Sequence, residues 1–401
     1  MTDLKDDLLD RVRGRLADLP VGLDTAAIAR AVREEAGGVI ADAQLLGILR
    51  TMRDELSGAG ILDPLLRLPG VTDVLVTAPD NVWIDRGNGL ELTDVKFPDD
   101  TAVRQLAVRL ASACGRRLDD AQPFVDGHMP ARRGHTGGAV GVRVHAMLSP
   151  PAATNTLISL RILHSANRGL ADLVERGTVP ERVGEVLRGI VEKRVSFVVA
   201  GGTGSGKTTL LSSLLAEAGH HERIVIVEDT PELLPAHPHV VKLVAKPPNV
   251  EGAGEITQRD LLRQALRMRP DRVIVGEIRG AEVVDLLAAL NTGHDGGAGT
   301  VHANRAVDIP ARFEALGALG GLSRDALHAQ LRPALRVVLS VERVSAGSGV
   351  TTRRLAHIGV LDGNPIRVRT AWSFMDGDGE AMGVLRSLLG DVAGPTLQVV
   401  R

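Results

Sequence analysis

The stretch Gly201-Gly202-Thr203-Gly204-Ser205-Gly206-Lys207-Thr208-Thr209 stands between an apolar run, VSFVVA, and a run with helical apolar spacing, LLSSLLAEA. It fits G-x-x-x-x-G-K-[ST], and it has the strand-before, helix-after context that this pattern requires. Glycines let the chain wrap until successive N–H groups point inward, a backbone nest for anions at a helix N-terminus. Lys207 then adds a point charge toward the β and γ phosphates of a nucleotide, and the Thr208 hydroxyl is placed for Mg2+. The bland alternative is a Gly-rich turn with a solvated lysine. Only 6 of the 47 basic residues are lysine, however, and one stands at this position. Residues 201–209 read as a nucleotide site.

A phosphate loop of this kind sits at the carboxyl edge of a parallel sheet, and the following sequence supplies one. RIVIVED, DRVIVGE and GTVHAN are strand runs, and KTTLLSSLLAEAG, TQRDLLRQALRM and AEVVDLLAALNTG are helices, the second capped by Thr257 with Asp260 in its first turn. Uninterrupted Val/Ile runs flanked by helices are the mark of a sheet covered on both faces. Residues 181–401 are therefore expected to form an α/β domain with a mainly parallel sheet. It closes with strand-like RVVLSVERV, RRLAHIGVL and PIRVRTAW and a last helix, MGVLRSLLG. The polar segment 164–180 reads as a linker. Residues 61–163 mix short strands, a Gly87-Asn88-Gly89 hairpin turn and a helix capped by Asp99-Asp100, a small α+β domain. Residues 1–60 read as helices, with Leu4, Leu8, Leu9, Val12 and Leu16 on one stripe.

Ligands of such sheets lie beyond the carboxyl ends of the strands. Glu228-Asp229 ends RIVIVED and Glu277 ends DRVIVGE. Both face the region of the γ-phosphate and its metal: Glu277 could hold Mg2+ through water, and Glu228 could orient or deprotonate an attacking water. Sequence leaves open which of the two is the base. His302 ends a further strand, where a γ-phosphate sensor would stand, and His294 lies in the Gly-rich NTGHDGG. No H-E-x-x-H or C-x-x-C spacing is present, so zinc has no support.

Composition trims the alternatives. The 401 residues carry a net charge of −2, with 44% hydrophobic and 24% charged residues, which suits two or three globular domains. Aromatics are 2% and tyrosine is absent, so stacking platforms for single-stranded nucleic acid are not expected. The single cysteine, Cys114, excludes an intrachain disulfide and reads as inert packing in LAVRLASAC. MTDLKDDLLDRVRGRL is no signal peptide, and no apolar run reaches the ~18 residues of a membrane span. A cytoplasmic protein is expected.

Four elements in order, GGTGSGKTT, VEDTPEL, RPDRVIVGEIRG and TGHDGGAGTVHAN, resemble the Walker A, Asp box, Walker B and His box of the secretion ATPase superfamily of type II and type IV systems. Gly276 stands where many P-loop NTPases carry an acidic residue before the glutamate, a departure usual in that superfamily. GVTDVLVTAPDNVWIDRGNGLELT, GRRLDDAQPFVDGHMP and VRVHAMLSPP resemble its tight-adherence (Tad/CpaF-type) pilus branch, as does the lack of a Cys-rich insertion. The resemblance implies a RecA-like P-loop domain preceded by a small PAS-like α+β domain and N-terminal helices. It also implies ATP and Mg2+ as ligands, and a homohexameric ring acting on inner-membrane platform proteins, peripheral to the membrane. Arg143 and Arg161 match N-domain arginines that reach the nucleotide, and Arg279 is a further candidate that could act between subunits. His145 departs from the small polar residue typical of relatives. The function so implied is a motor ATPase for pilus assembly or secretion. The alternatives are a conjugation-type ATPase, a nucleic-acid translocase, which the net charge disfavours, and a non-hydrolysing nucleotide-binding regulator.

Overall fold

The computed structural model describes Val32, Glu34 and residues 58–87, 89–130, 139–164, 169–249, 252–345 and 351–390. The helical stripe expected before residue 58 lies outside the described residues, as does Asn88. The chain divides into two compact units, Met1–His164 and Ser165–Arg401.

In the first unit, helix α1 (Asp63–Leu66) leads into strands β1 (Asp73–Ala78), β2 (Asn81–Asp85) and β3 (Leu90–Leu92). Helix α2 (Asp100–Ala113) follows, then β4 (Phe124–Pro130), β5 (Ala139–Met147) and β6 (Leu157–His164). All pair antiparallel, in the order β3-β2-β1-β6-β5-β4. Alternation along the strands sorts the two faces. Val142, Val144 and Ala146 of β5 and Ile158, Leu160 and Ile162 of β6 share a core with Val103, Leu106 and Leu110 of α2. Their alternates, Arg143, His145, Ser159 and Arg161, take the other face.

Helix α2 starts as its sequence requires. Asp99 accepts the Ala102 N–H at 2.9 Å, and Asp100 accepts the Thr156 N–H and hydroxyl at 2.7 and 3.1 Å, which ties the helix to the start of β6. Cys114 caps its far end and packs on Gly127, where an added Cβ would fall 2.6 Å from the Cys114 Cβ. Burial pushes the Cys114 thiol up to about 11, so it stays protonated and inert.

The second unit opens with helices α3 (Leu170–Glu175) and α4 (Glu181–Glu192). Strand β7 (Phe197–Gly201), helix α5 (Lys207–Ala216) and strands β8 (Ile224–Glu228) and β9 (Val240–Val244) follow. Next come α6 (Gln258–Ala265), β10 (Arg272–Ile278), α7 (Glu282–Leu290) and β11 (Ala298–His302). The chain ends through α8 (Ile309–Leu319), α9 (Arg324–Ala334), β12 (Val337–Ser345), β13 (Thr351–Asp362), β14 (Arg367–Ser373), β15 (Gly377–Asp378) and α10 (Met382–Leu389). They build one nine-stranded sheet, order β15-β14-β13-β12-β7-β11-β10-β8-β9. From β12 to β9 the pairing is parallel, and β13 to β15 add an antiparallel flank. The α/β class expected from the Val/Ile runs is the one observed.

Strand β7 shows why those runs are continuous. Phe197 and Val199 enter the core made by α3, α4, α5 and α10, whereas Val198 and Ala200 enter the core made by α6, α7, α8 and α9. Burial on both faces leaves no position for a polar residue. The expected linker over 164–180 needs correcting from Leu170 onward. Leu170 and Leu173 are buried in the first of these cores as part of α3, because four apolar residues (Leu170, Leu173, Val174, Val179) give that polar-looking stretch an inward stripe.

At the amino edge of this sheet a buried ion pair joins strands and helices. Arg272, 1% exposed, donates to both Glu222 carboxylate oxygens at 2.8 and 3.1 Å and to the Val191 carbonyl at 2.7 Å. The opposite, carboxyl edge carries the phosphate loop.

Candidate nucleotide site

β7 ends at Gly201, and α5 begins at Lys207. Between them Gly204 and Gly206 take φ of +69° and +98°, a left-handed backbone that side chains with a Cβ rarely adopt. These two turns fold the loop back on itself. The buried Ser205 hydroxyl donates to the Gly202 carbonyl at 2.9 Å. The Lys207 ammonium lies over the loop and donates to the carbonyls of Gly201 and Gly202 at 2.9 and 2.8 Å. Burial lowers its pKa, while Glu277 and Glu232 draw it back up. Thr208 and Thr209 occupy the first turn of α5, half-buried, and Thr203 is exposed.

Strand register delivers the remaining groups. β11 pairs with β7 so that His302 lies opposite Gly201, exposed beside the loop. In β10 the register slips between Val275 and Ile278, a bulge that carries Gly276 and Glu277. The Thr300 hydroxyl pins it by donating to the Gly276 carbonyl at 2.6 Å. Bulges next to functional sites re-aim a side chain. Here the re-aimed group is Glu277, whose carboxylate is electrostatically coupled to Lys207. Beyond it, β8 pairs Val227 with Val275, which sets Glu228 against Gly276.

Glu228 and Gly276 explain each other. A Cβ added at 276 would fall 2.6 Å from Glu228 Cγ, so the carboxylate side chain fills the space that a larger residue would need. Glu228 is 3% exposed. Its Oε1 accepts the Glu232 and Leu233 N–H groups at 3.0 and 2.8 Å, while Oε2 is buried and has no partner among the described residues. Burial pushes its carboxyl up to about 7 despite those two hydrogen bonds. Lys242 of β9, its own pKa lowered by burial, draws the Glu228 carboxyl the other way.

Arg279 joins two of the carboxylates expected at the site. Its guanidinium lies 2.8 Å from Asp229 and 3.3 Å from Glu277. Glu282, at the start of α7, accepts the Arg279 and Gly280 N–H groups at 2.6 and 2.7 Å and fixes the turn. One expectation is not met within this chain. His294 precedes β11, with Nδ1 3.2 Å from the Ala289 carbonyl at the end of α7, and so belongs to the amino edge, the length of β11 away from His302.

Arg143 and Arg161 lie in the first unit. Arg143 forms a two-point bridge to Asp126 at 3.1 and 2.6 Å, and Arg161 donates to Asp73 at 2.8 Å. Burial pushes the Asp126 carboxyl up, but the Arg143 guanidinium prevails and leaves it below the usual range. With His145 and Ser159 these four side chains line a cavity of about 260 Å³ on the open face of the antiparallel sheet. No motif marks either aspartate: strand register alone brings Asp73 to Arg161, 88 positions away, and Asp126 to Arg143, 17 away.

Two further groups near the loop belong to no phosphate-loop motif. Glu232, in the turn after β8, acts on both Lys207 and Glu228. Arg353 of β13 donates its Nε–H to the Gly204 carbonyl at 2.9 Å. The residues present suit a nucleotide with Mg2+: a glycine nest under a lysine, a hydroxyl at Thr208, and strand-end carboxylates of which Glu228 keeps one oxygen unengaged.

The family model described as type II/IV secretion system protein matches residues 55–348. The chain belongs to that family. A putative conjugal transfer protein of Mycobacterium tuberculosis (strain CDC 1551 / Oshkosh) is 55% identical over 353 residues, spanning 88% of this chain and 98% of that protein. The conjugal transfer protein TrbB of Rhizobium radiobacter is 30% identical, over 72% and 84% of the two chains. The type IV secretion system protein PtlH of Bordetella pertussis is 32% identical, over 76% and 94%. Among solved structures, the pilus retraction motor PilT with bound ADP superposes with a TM-score of 0.55 at 22% identity, covering 75% of this chain and 82% of that one. The Legionella pneumophila ATPase DotB gives 0.53 at 19%, covering 73% and 76%. These two share the fold. Among the described residues no helix is long and apolar enough to cross a membrane.

Proposed function

We propose that this chain is an ATP hydrolase that drives a secretion, conjugation or pilus machine. The observation that carries the reading is the β10 bulge, which turns Glu277 toward Lys207 while Gly276 gives way to Glu228. In the proposed reaction, water attacks the γ-phosphorus, the bond to the β–γ bridging oxygen breaks, and ADP and phosphate leave. Loop N–H groups and Lys207 hold the phosphates. Glu277 orients the water and takes its proton, and Glu228, poised near neutrality beside it, sets the local charge. His302 senses the γ-phosphate. Mg2+, when bound, neutralises charge on the β and γ oxygens, and Thr208 with Glu277 through water would hold it. Arg143 and Arg161 add guanidinium groups for the charge that develops on the γ oxygens.

The first test is phosphate release from ATP with Mg2+. The wild-type chain turns over, and Lys207→Ala falls at least about 100-fold, in line with loss of a transition-state contact. A wild-type chain that binds nucleotide without hydrolysing it would leave only the regulator reading.

For the machine served, we infer a tight-adherence pilus, on the resemblance of GVTDVLVTAPDNVWIDRGNGLELT and GRRLDDAQPFVDGHMP to that branch. A conjugation-type ATPase is the second reading, favoured by the names of the Mycobacterium and Rhizobium relatives. Deleting the gene separates them: the first predicts loss of surface pili with DNA transfer intact, the second the reverse. Either machine suits a cytoplasmic ring, a hexamer docked on inner-membrane proteins.

A further inference from the structure

Strands β12 and β13 run antiparallel beside β7, and their register sets Arg343 directly opposite Arg353. The neighbouring pair on this ladder is matched in charge. Glu342 stands opposite Arg354 and accepts from its Nε at 2.6 Å, and Arg354 also lies 4.4 Å over the Phe374 ring. Like charges directly opposite each other destabilise a ladder, whereas the Glu342–Arg354 pair supports it. The Arg343–Arg353 rung has no such charge match across the ladder, although Arg343 is itself engaged elsewhere.

Arg353 of this rung reaches the phosphate loop. Its Nε–H bonds the Gly204 carbonyl at 2.9 Å, and its Cδ would be 3.3 Å from a Cβ built on Gly206. The side chain thus lies against the tip of the phosphate loop. Arg353 is exposed and has no carboxylate within ion-pair distance among the described residues. One of its five N–H donors is committed. Its flank of the loop is also informative. β12 adjoins β7 on one side, while β11, β10 and β8, with His302, Glu277 and Glu228, lie on the other. A group held by Arg353 is therefore on the side of the loop away from the hydrolytic carboxylates.

We propose that Arg353 is a nucleotide-binding residue that grips the α- and β-phosphates from within the same chain, so that it sets affinity for ADP as much as for ATP. This rests on the nucleotide reading of the loop. A guanidinium suits the role because it can keep its bond to Gly204 while offering a planar pair of donors to phosphate oxygens.

The test is calorimetric titration of the full chain with ADP and with a non-hydrolysable ATP analogue, in Mg2+ at fixed salt. Arg353→Ala should weaken both ligands by the same factor, about tenfold, and Arg353→Lys should recover part of the loss. Equal affinities in wild type and Arg353→Ala would overturn the assignment. A loss confined to the ATP analogue would overturn it too, because it would place the guanidinium at the γ-phosphate. Urea unfolding without nucleotide separates binding from folding. If Arg353→Ala lowers the midpoint, Arg353→Gln, which can still donate to Gly204, carries the comparison by the same criteria. Failure of the wild-type chain to bind ADP would instead remove the nucleotide reading itself.

Discussion

At the carboxyl edge of the sheet, the Glu228 side chain occupies the space that any Cβ at position 276 would need, and burial raises its carboxyl from an ordinary 4.5 to about 7. The folded chain then keeps a proton that the unfolded chain releases. Stability from this group is fully present below about pH 4.5 and is lost as pH rises through 7, a span worth about 3 kcal/mol. Glu228→Gln, which cannot ionise, should flatten the fall in urea midpoint between pH 5 and pH 8; an unchanged slope would mean that Glu228 is not the titrating group. Gly276→Ala should cost about 1–3 kcal/mol through overpacking and lower ATP turnover together with the unfolding midpoint. Candidate residues were legible where a motif prescribes them, as at Lys207 and Thr208. The place of Arg353 beside the loop was not, because its bond to Gly204 spans 149 positions and nothing local to RRLAHIGVL announces it.

Among the secondary elements, the parallel strands were legible because burial on both faces writes itself as unbroken Val and Ile. β9 was not. It is an edge strand, half-exposed, and its VVKLV lies between PAHPH and KPP, prolines that read as loop. Helix α3 was hidden by polar neighbours, and α8 and α9 lack a motif to draw attention to them. β10 shows how an element serves both edges of the sheet. Its first residue, Arg272, anchors the buried pair with Glu222, and its last turn bulges to present Glu277. Arg272→Ala removes the two-point partner of buried Glu222, leaving it Arg194 at 3.3 Å and the Gly219 N–H at 2.9 Å, and should destabilise the chain by about 3 kcal/mol in urea unfolding. A loss below about 1 kcal/mol would show that Arg194 and the Gly219 N–H suffice for Glu222.

For the whole molecule, the first unit holds Arg143 and Arg161, each on an aspartate partner. Arg161→Ala should lower ATP turnover at least about tenfold with an unchanged urea midpoint, since an exposed ion pair contributes little to stability. Unchanged kinetics would restrict the chemistry to the second unit. Light scattering with ADP and Mg2+ should give the mass of six chains, and a monomer under those conditions would contradict the ring. The β10 bulge stands behind all of this, and Glu277→Gln isolates it. The variant should bind a non-hydrolysable ATP analogue within about threefold of wild type while ATP turnover falls at least about 100-fold. Wild-type turnover in Glu277→Gln would contradict the assignment of this strand end as the hydrolytic group.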